Sequence, residues 1–92
     1  MGELDGVWRV ERTDGLLPPL VGVRKRISGD RGKMTIGPLP GVPFRLDGLT
    51  LRYEPPLGGL VDLLEPSPDG YRGTATFHGR VYGHFVMRRA NP

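Results

Sequence analysis

The chain of 92 residues contains no cysteine, no long apolar run, and only two serines and two histidines. The absence of cysteine excludes disulfide bonds and thiol chemistry, and it is typical of a reducing compartment. No apolar run approaches the roughly 20 residues of a membrane helix, and the N-terminal residues do not resemble a secretory signal. We therefore expect one soluble domain over residues 1–92 in the bacterial cytoplasm, without a membrane partner.

The scarcity of serine and histidine also limits the possible chemistry. Ser28 and Ser67 lie in predicted turns, outside any G-x-S-x-G motif, so they do not indicate a catalytic nucleophile. His78 and His84 lack the spacing of a metal site and have no clustered carboxylates beside them. A haem bound through a single histidine stays open, but no phosphate-binding glycine motif is present. We expect no catalysis, no cofactor and no bound metal.

Glycine and proline are abundant, with 15 and 10 residues. They recur at even intervals between short segments of alternating apolar and polar residues, which indicates the turns of an all-β fold rather than disorder. About eight short strands and no substantial helix are predicted. Short connections favour a meander, and eight such strands can close into a small up-and-down antiparallel β-barrel. The predicted strands are residues 6–12, 20–27, 33–37, 44–46, 49–54, 60–65, 71–77 and 81–89.

The fourth and fifth predicted strands form the clearest hairpin. Asp47-Gly48 is a strong signal for a two-residue turn. A turn at these two residues predicts that Leu46 faces Leu49 and that Phe44 faces Leu51. All four apolar side chains would then lie on one face of the sheet.

The last hairpin allows two registers. A two-residue Gly79-Arg80 turn would mix apolar and polar side chains on each face, whereas an odd-length loop separates them. The clean separation favours the odd-length loop, although the register of this hairpin and the facing of residues 60–65 stay open. The predicted inward face carries Tyr71, Gly73, Ala75, Phe77, Val81, Gly83, Phe85 and Met87.

Gly6-Val7-Trp8 lies on the first predicted strand, where Trp8 and Val10 share a face. This tripeptide resembles the opening signature of the lipocalin/calycin family. In that family the tryptophan closes one end of the barrel, and an arginine near the end of the last strand packs across it. Arg88 or Arg89 stands at the matching place here. The resemblance implies a lipocalin-like barrel and a hydrophobic or fatty-acid-like ligand, whereas an ordinary core tryptophan would be buried too.

The inward positions of the predicted barrel define a candidate ligand site, because eight strands enclose room for side chains or for one small molecule. The leading hypothesis is non-catalytic binding of a small hydrophobic or amphipathic molecule, with an anionic one as an option. Lys25, Tyr53 and Tyr71 are the candidate polar anchors, and Leu16-Leu17 would cover the entrance. Alternatively, Lys25 extends to the rim and the tyrosine hydroxyls are satisfied at the barrel ends. The apolar wall would comprise Trp8, Phe44, Leu51, Phe77, Phe85 and Met87.

Two other functions compete with ligand binding. A barrel filled by its own side chains would serve as a self-associating interaction module, most simply a homodimer. The net charge of +3 also allows an OB-like binder of single-stranded nucleic acid. Nucleic acid is the least favoured partner, because the phenylalanines fall on the apolar face and cannot stack on bases. The residues of that basic site would be Arg24, Lys25, Arg26, Arg31 and Lys33.

Overall fold

A computed structural model describes residues 4–15, 22–36, 41–55 and 57–90. Its eight strands form one closed antiparallel barrel in which each strand pairs with its sequence neighbours and the last returns to the first. The predicted all-β class and the up-and-down barrel are confirmed. Within this part of the chain, no helix is long and apolar enough to cross a membrane. The strands are β1 (Gly6–Gly15), β2 (Val23–Ser28), β3 (Arg31–Ile36), β4 (Val42–Asp47), β5 (Thr50–Tyr53), β6 (Leu60–Ser67), β7 (Gly70–Phe77) and β8 (Arg80–Arg89).

Alternation of side chains explains which residues enter the barrel. In β2, Val23, Lys25 and Ile27 are buried, whereas Arg24 and Arg26 are exposed. This is the period of two that a strand with one buried face requires. A charged residue at an interior position breaks the apolar pattern, and the barrel must compensate for it.

The β4–β5 hairpin differs from its predicted register by two residues. Asp47 pairs with Thr50 and Leu46 pairs with Leu51, so the turn residues are Gly48 and Leu49 rather than Asp47 and Gly48. Gly48 has a φ of +61°, and a type II′ turn places glycine at its first central position. The predicted pairings are therefore wrong. Phe44, Leu46 and Leu51 keep the predicted facing because a shift of two residues preserves the side-chain parity. Leu49, which was also predicted to face inward, lies in the turn and is 39% exposed.

The β7–β8 hairpin contains a two-residue turn and a β-bulge instead of the predicted odd-length loop. Phe77 pairs with Arg80 across the turn, and the register then shifts between Ala75 and Thr76 on β7. His78 has a φ of +49° and Gly79 one of +83°, as a type I′ turn requires. The extra residue in β8 restores the predicted parity over the rest of the hairpin. Inward-facing pairs there are Tyr71 with Met87, Gly73 with Phe85, and Ala75 with Gly83.

Two residues next to this turn do not lie inside the barrel. Phe77 and Val81 were predicted to face inward, but they are 36% and 60% exposed. The bulge falls in β8 between Val81 and Gly83. The alternation that turns Phe85 inward therefore does not extend to Val81. The ring of Phe77 instead lies near those of His78 and Tyr82, with centroids 4.2 and 5.9 Å away.

Aromatic rings occupy the space left by two glycines in the strands. A Cβ added to Gly73 would lie 2.1 Å from the ring of Phe85, and one added to Gly32 would lie 2.5 Å from the ring of Phe44. These niches are filled by neighbouring side chains, as native packing density demands. The small inward residue Gly73 therefore does not create an empty space.

The two ends of the barrel follow from the meander. At one end, called here the closed end, lie the start of β1 and the β2–β3, β4–β5 and β6–β7 turns. At the other, called the loop end, lie the β1–β2, β3–β4, β5–β6 and β7–β8 connections. The largest fully buried side chains are Trp8, Lys25, Phe44, Leu51 and Met87.

Candidate functional site

Trp8 closes one end of the barrel. Its indole is 2% exposed, and its Nε1–H donates to the backbone carbonyl of Leu4 at 2.8 Å. The ring of Tyr71 meets it edge to face at 5.5 Å, a favourable aromatic arrangement. A buried indole with a satisfied N–H seals this end and orders the chain before β1.

Arg89, rather than Arg88, packs across Trp8. The guanidinium carbon of Arg89 lies 4.4 Å from the indole centroid, and its Nη1 donates to the backbone carbonyl of Asp5 at 2.8 Å. A Cβ on Gly6 would lie 2.8 Å from that same Nη1, which explains the glycine. Arg88 points outward and lies 3.7 Å from Glu11. Of the two predicted barrel-closing arginines, only Arg89 contacts the tryptophan.

A lysine–aspartate pair crosses the barrel interior. Nζ of Lys25 on β2 lies 2.6 Å from Oδ2 of Asp62 on β6. These strands are four apart in a ring of eight, so the pair joins opposite walls. Both residues are buried. The prediction that Lys25 faces inward is confirmed, and the alternative in which it extends to the rim is wrong.

Two aromatic rings complete the surroundings of this pair. The Tyr53 hydroxyl donates to the same Oδ2 of Asp62 at 3.3 Å and also lies 3.4 Å from Sδ of Met34. The ring of Phe85 lies below Nζ of Lys25, with its centroid 4.3 Å away. The ammonium is therefore held by one carboxylate and one aromatic face, both favourable for a desolvated cation.

Burial changes the proton affinities of this cluster. Desolvation lowers the pKa of Lys25 below its usual 10.5, while the charge of Asp62 and its hydrogen bond act in the opposite direction. For Tyr53, desolvation raises the pKa well above 10.0, and the charge and hydrogen bond of Asp62 raise it further. The tyrosine therefore stays a neutral donor to Asp62 through the physiological range.

The second carboxylate oxygen of Asp62 reaches solvent. Both hydrogen bonds of this side chain end on Oδ2, and no buried side-chain nitrogen or oxygen in the described residues lacks a partner. Oδ1 is therefore accessible, in keeping with a side chain that is 9% exposed. Because Asp62 faces inward, an accessible acceptor lies inside the barrel.

Asp62 lies toward the loop end of β6, because it is the third of the eight residues of a strand that begins there. Toward the closed end the interior is filled by fully buried side chains, including Trp8 and Met87. Toward the loop end, Val23 and Tyr53 are buried, but four other apolar side chains are only partly buried. These partly buried residues are Met34, Val42, Leu57 and Leu60.

The remaining predicted site residues divide into four groups. Phe44, Leu51, Phe85 and Met87 are buried in the barrel, as expected for its wall. Tyr71, a predicted polar anchor, is also buried and packs against Trp8. Phe77 is not part of that wall. Leu16 and Leu17 lie outside the described residues. Of the predicted basic site, Lys25 is interior and cannot contact a nucleic acid, whereas Arg24, Arg26, Arg31 and Lys33 are exposed.

Asp62 was absent from the predicted site. Strand β6 is nearly all apolar, so the sequence alone left its facing undecided. The structure turns Asp62 and Leu64 inward and leaves Leu63 47% exposed. An energetic argument could have identified Asp62. A lysine inside the barrel needs a counter-charge, and Asp62 is an acidic residue that lies between apolar neighbours.

These features define the class of the protein as a closed eight-stranded antiparallel β-barrel with a buried ion pair, an architecture compatible with a calycin-like fold. Comparison of the chain with protein-family models, with curated proteins and with solved structures found no match. Among the described residues, no group of three or more histidine or carboxylate side chains could hold a metal ion.

Proposed function

We propose that the barrel binds a small amphipathic molecule through its loop end, with the polar head of the ligand at Asp62. The observation that carries this proposal is the solvent-accessible Oδ1 of Asp62 inside the barrel. A carboxylate oxygen in a largely apolar interior is a strong acceptor, and ligand sites combine an apolar lining with a few placed polar groups. The apolar part of the ligand would contact Met34, Val42, Leu57 and Leu60.

The charge of the pair favours a neutral or cationic head over an anionic one. Asp62 already neutralises Lys25 at 2.6 Å, so a second carboxylate would meet an occupied ammonium and a nearby negative charge. A hydroxyl, amide or amine would instead donate to Oδ1. The ion pair therefore supports a neutral or cationic head group more than an anionic one.

Retention of a buried ion pair also supports a role for it in binding. Replacing such a pair by apolar residues of similar volume is often neutral or stabilising by about 1–4 kcal/mol. A barrel needed only for its stability would gain from that replacement. Binding gives a reason to keep Lys25 and Asp62.

Self-association is the second candidate, and two observations favour it. The glycine niches at Gly73 and Gly32 are filled, and apolar side chains lie on the outer surface of β6–β8. The exposed apolar side chains there are Leu63, Phe77, Val81 and Tyr82. Native mass spectrometry at tens of micromolar protein tests this candidate, and a Val81→Lys variant should then convert a dimer to a monomer.

Displacement of the neutral probe N-phenyl-1-naphthylamine tests the ligand proposal. Dodecanol should displace the probe, whereas dodecanoate at pH 8 should do so at least about tenfold more weakly, since a hydrogen bond to a charged group contributes about 1.5–3 kcal/mol. At a hundred times its dissociation constant, dodecanol should add roughly 2.7 kcal/mol to the free energy of unfolding.

Two variants locate the site. Asp62→Asn should weaken dodecanol binding about tenfold or more, whereas Asp69→Asn, which removes an exposed turn carboxylate, should not change it. Ala75→Leu leaves the ion pair intact but adds bulk opposite Asp62, so it should block the probe. The proposal fails if no probe binds the native protein and Ala75→Leu only raises the melting temperature.

A further inference from the structure

Seven basic side chains lie on the outer surface of β1–β5. They occupy the positions that alternate with buried residues, and all seven are exposed. We call this surface the basic face. Its members are Arg9, Arg24, Arg26, Arg31, Lys33, Arg45 and Arg52.

The strand register places these cations directly opposite one another. Residues paired across antiparallel strands have Cβ atoms about 5 Å apart, and like charges in such pairs are destabilising. Four such like-charge pairs occur on the basic face. They are Arg9 with Arg24, Arg26 with Lys33, Arg31 with Arg45, and Arg45 with Arg52.

Among the described residues, no carboxylate lies within ion-pair distance of the basic face. In the described part of the chain, none of its seven side chains forms an ion pair, whereas Arg72 lies 3.7 Å from Glu65 and Arg88 lies 3.7 Å from Glu11 elsewhere on the barrel. Asp47 falls at the end of β4, away from the centre of the face. The surface thus concentrates positive charge at a cost to stability.

We propose that the basic face binds the phosphate backbone of double-stranded nucleic acid without reading its sequence. Arginine suits this role because its planar guanidinium pairs bidentately with phosphate. The face curves around the barrel, because β1 and β5 are four apart in the ring of eight. A straight duplex therefore meets about three adjacent strands, such as β3–β5 with Arg31, Arg45 and Arg52 in register. Three strands span about 10 Å at about 4.8 Å per strand, which matches about three base pairs of duplex with one negative charge per roughly 1.7 Å.

The side chains of the basic face favour a duplex over a single strand or a membrane surface as the partner. Single-strand binders stack bases on exposed aromatic rings, and the large exposed apolar side chains of the described residues lie elsewhere, in the β4–β5 turn and on β6–β8. Peripheral membrane binding adds buried apolar area to electrostatic attraction, which the strands of this face do not offer. Arginine without aromatic or apolar partners is typical of backbone contact alone.

This surface differs from the single-strand site expected from the sequence. The basic face does not include Lys25, and it includes three residues that were not predicted to belong to the site, Arg9, Arg45 and Arg52. The basic face is on the outside of the barrel wall, so its role is independent of the interior pair. Failure of one proposal leaves the other standing.

Fluorescence anisotropy with a labelled 20-base-pair duplex tests the proposal. The full chain should bind with micromolar affinity that falls steeply with salt. The triple variant Arg31→Gln, Arg45→Gln, Arg52→Gln should reduce the slope of log K against log salt by about 2.7, or 0.9 for each lost phosphate contact. Its melting temperature should be no lower than that of the parent, because like-charge repulsion is relieved.

A matched triple variant controls for net charge. Arg72→Gln, Arg80→Gln, Arg88→Gln removes the same charge from β7 and β8, outside the basic face, and should change the slope by less than about 1. The proposal is overturned if the two triples weaken duplex binding equally, or if no duplex binds at low salt. Tighter binding to a single strand, or binding only to phosphatidylglycerol vesicles, overturns it too.

Discussion

The closed end and the middle of the barrel solve the same packing problem in opposite ways. At the closed end Trp8, Phe44 and Met87 are fully buried and apolar, and the only polar atom of the indole is satisfied by a backbone carbonyl. In the middle, a lysine and an aspartate span the interior. The first arrangement maximises stability, whereas the second gives up some stability to hold charged groups in place. The apolar and the charged side chains thus occupy different layers of one small barrel.

Removal of Trp8 should have the largest effect. Trp8→Ala should lower the free energy of unfolding by about 3–5 kcal/mol, because it leaves a cavity at the centre of the closed end. Chemical denaturation measures this loss, with Tyr82→Ala as a control at an exposed aromatic residue. Equal losses in the two variants would show that the closed end does not carry the stability assigned to it.

Lys25, Asp62 and Tyr53 form what is called here the polar layer. Loss of one charge of the ion pair should destabilise the protein more than replacement of both charged residues. Asp62→Asn leaves Lys25 buried without a counter-charge and should cost about 3 kcal/mol, whereas the double variant Lys25→Met, Asp62→Leu should recover the parental stability or exceed it. Denaturation midpoints of the parent, the single variant and the double variant measure these differences in stability. If the double variant is the least stable, the pair is a net stabiliser and the contrast between the layers disappears.

The closed end could be predicted from the sequence better than the polar layer. The alternation around Trp8 and the Gly6-Val7-Trp8 tripeptide predict its burial, and the parity of β2 places Lys25 inside. Nothing local predicts the partner of Lys25, because Leu60 to Leu64 is apolar on both faces except at Asp62. A contact between opposite walls depends on barrel closure, which no pattern within one strand contains.

Turn details were predictable only in part, for reasons of backbone conformation. Asp47-Gly48-Leu49 offers two overlapping two-residue turns. A type I′ turn at Asp47-Gly48 needs a positive φ at both residues, but only Gly48 has one, as a type II′ turn at Gly48-Leu49 requires. In the last hairpin the inward-facing residues were predicted correctly up to the bulge. A slip of one residue would turn every side chain of a strand to the other face, so the apolar pattern fixes the facing. The bulge itself leaves no sequence signature, and so Phe77 and Val81 were misplaced.

Gly73 tests whether the interior next to the polar layer is filled. A Cβ at this position would lie 2.1 Å from the ring of Phe85, whose face contacts Lys25. Gly73→Ala should therefore cost about 1–3 kcal/mol by overpacking. Gly58→Ala is the control, because the nearest atom to its Cβ would be 3.9 Å away. A neutral or stabilising Gly73→Ala would mean that Phe85 can move aside.

The two arginines at the end of β8 should differ in their effects on the closed end. Arg89→Gln should cost about 1 kcal/mol, because it removes a cation–π contact with Trp8. Arg88→Gln removes only an exposed ion pair at 3.7 Å and should cost less than about 0.5 kcal/mol. The Trp8 emission spectrum should shift only in the first variant, and a shift in both would contradict the assignment.

The smallest effect at neutral pH concerns the hydroxyl of Tyr53, whose titration matters only in alkali. Its folded-state pKa is raised well above 10.0, first by burial and then by Asp62. Above pH 10 the unfolded chain loses the tyrosine proton while the folded chain keeps it, so stability falls as pH rises through this window. Tyr53→Phe lacks this proton, and residues common to both proteins cancel in the comparison. The difference in unfolding free energy between parent and variant should stay constant up to about pH 10 and then decline. A difference that stays flat to pH 11 would place Tyr53 in contact with water rather than in the polar layer.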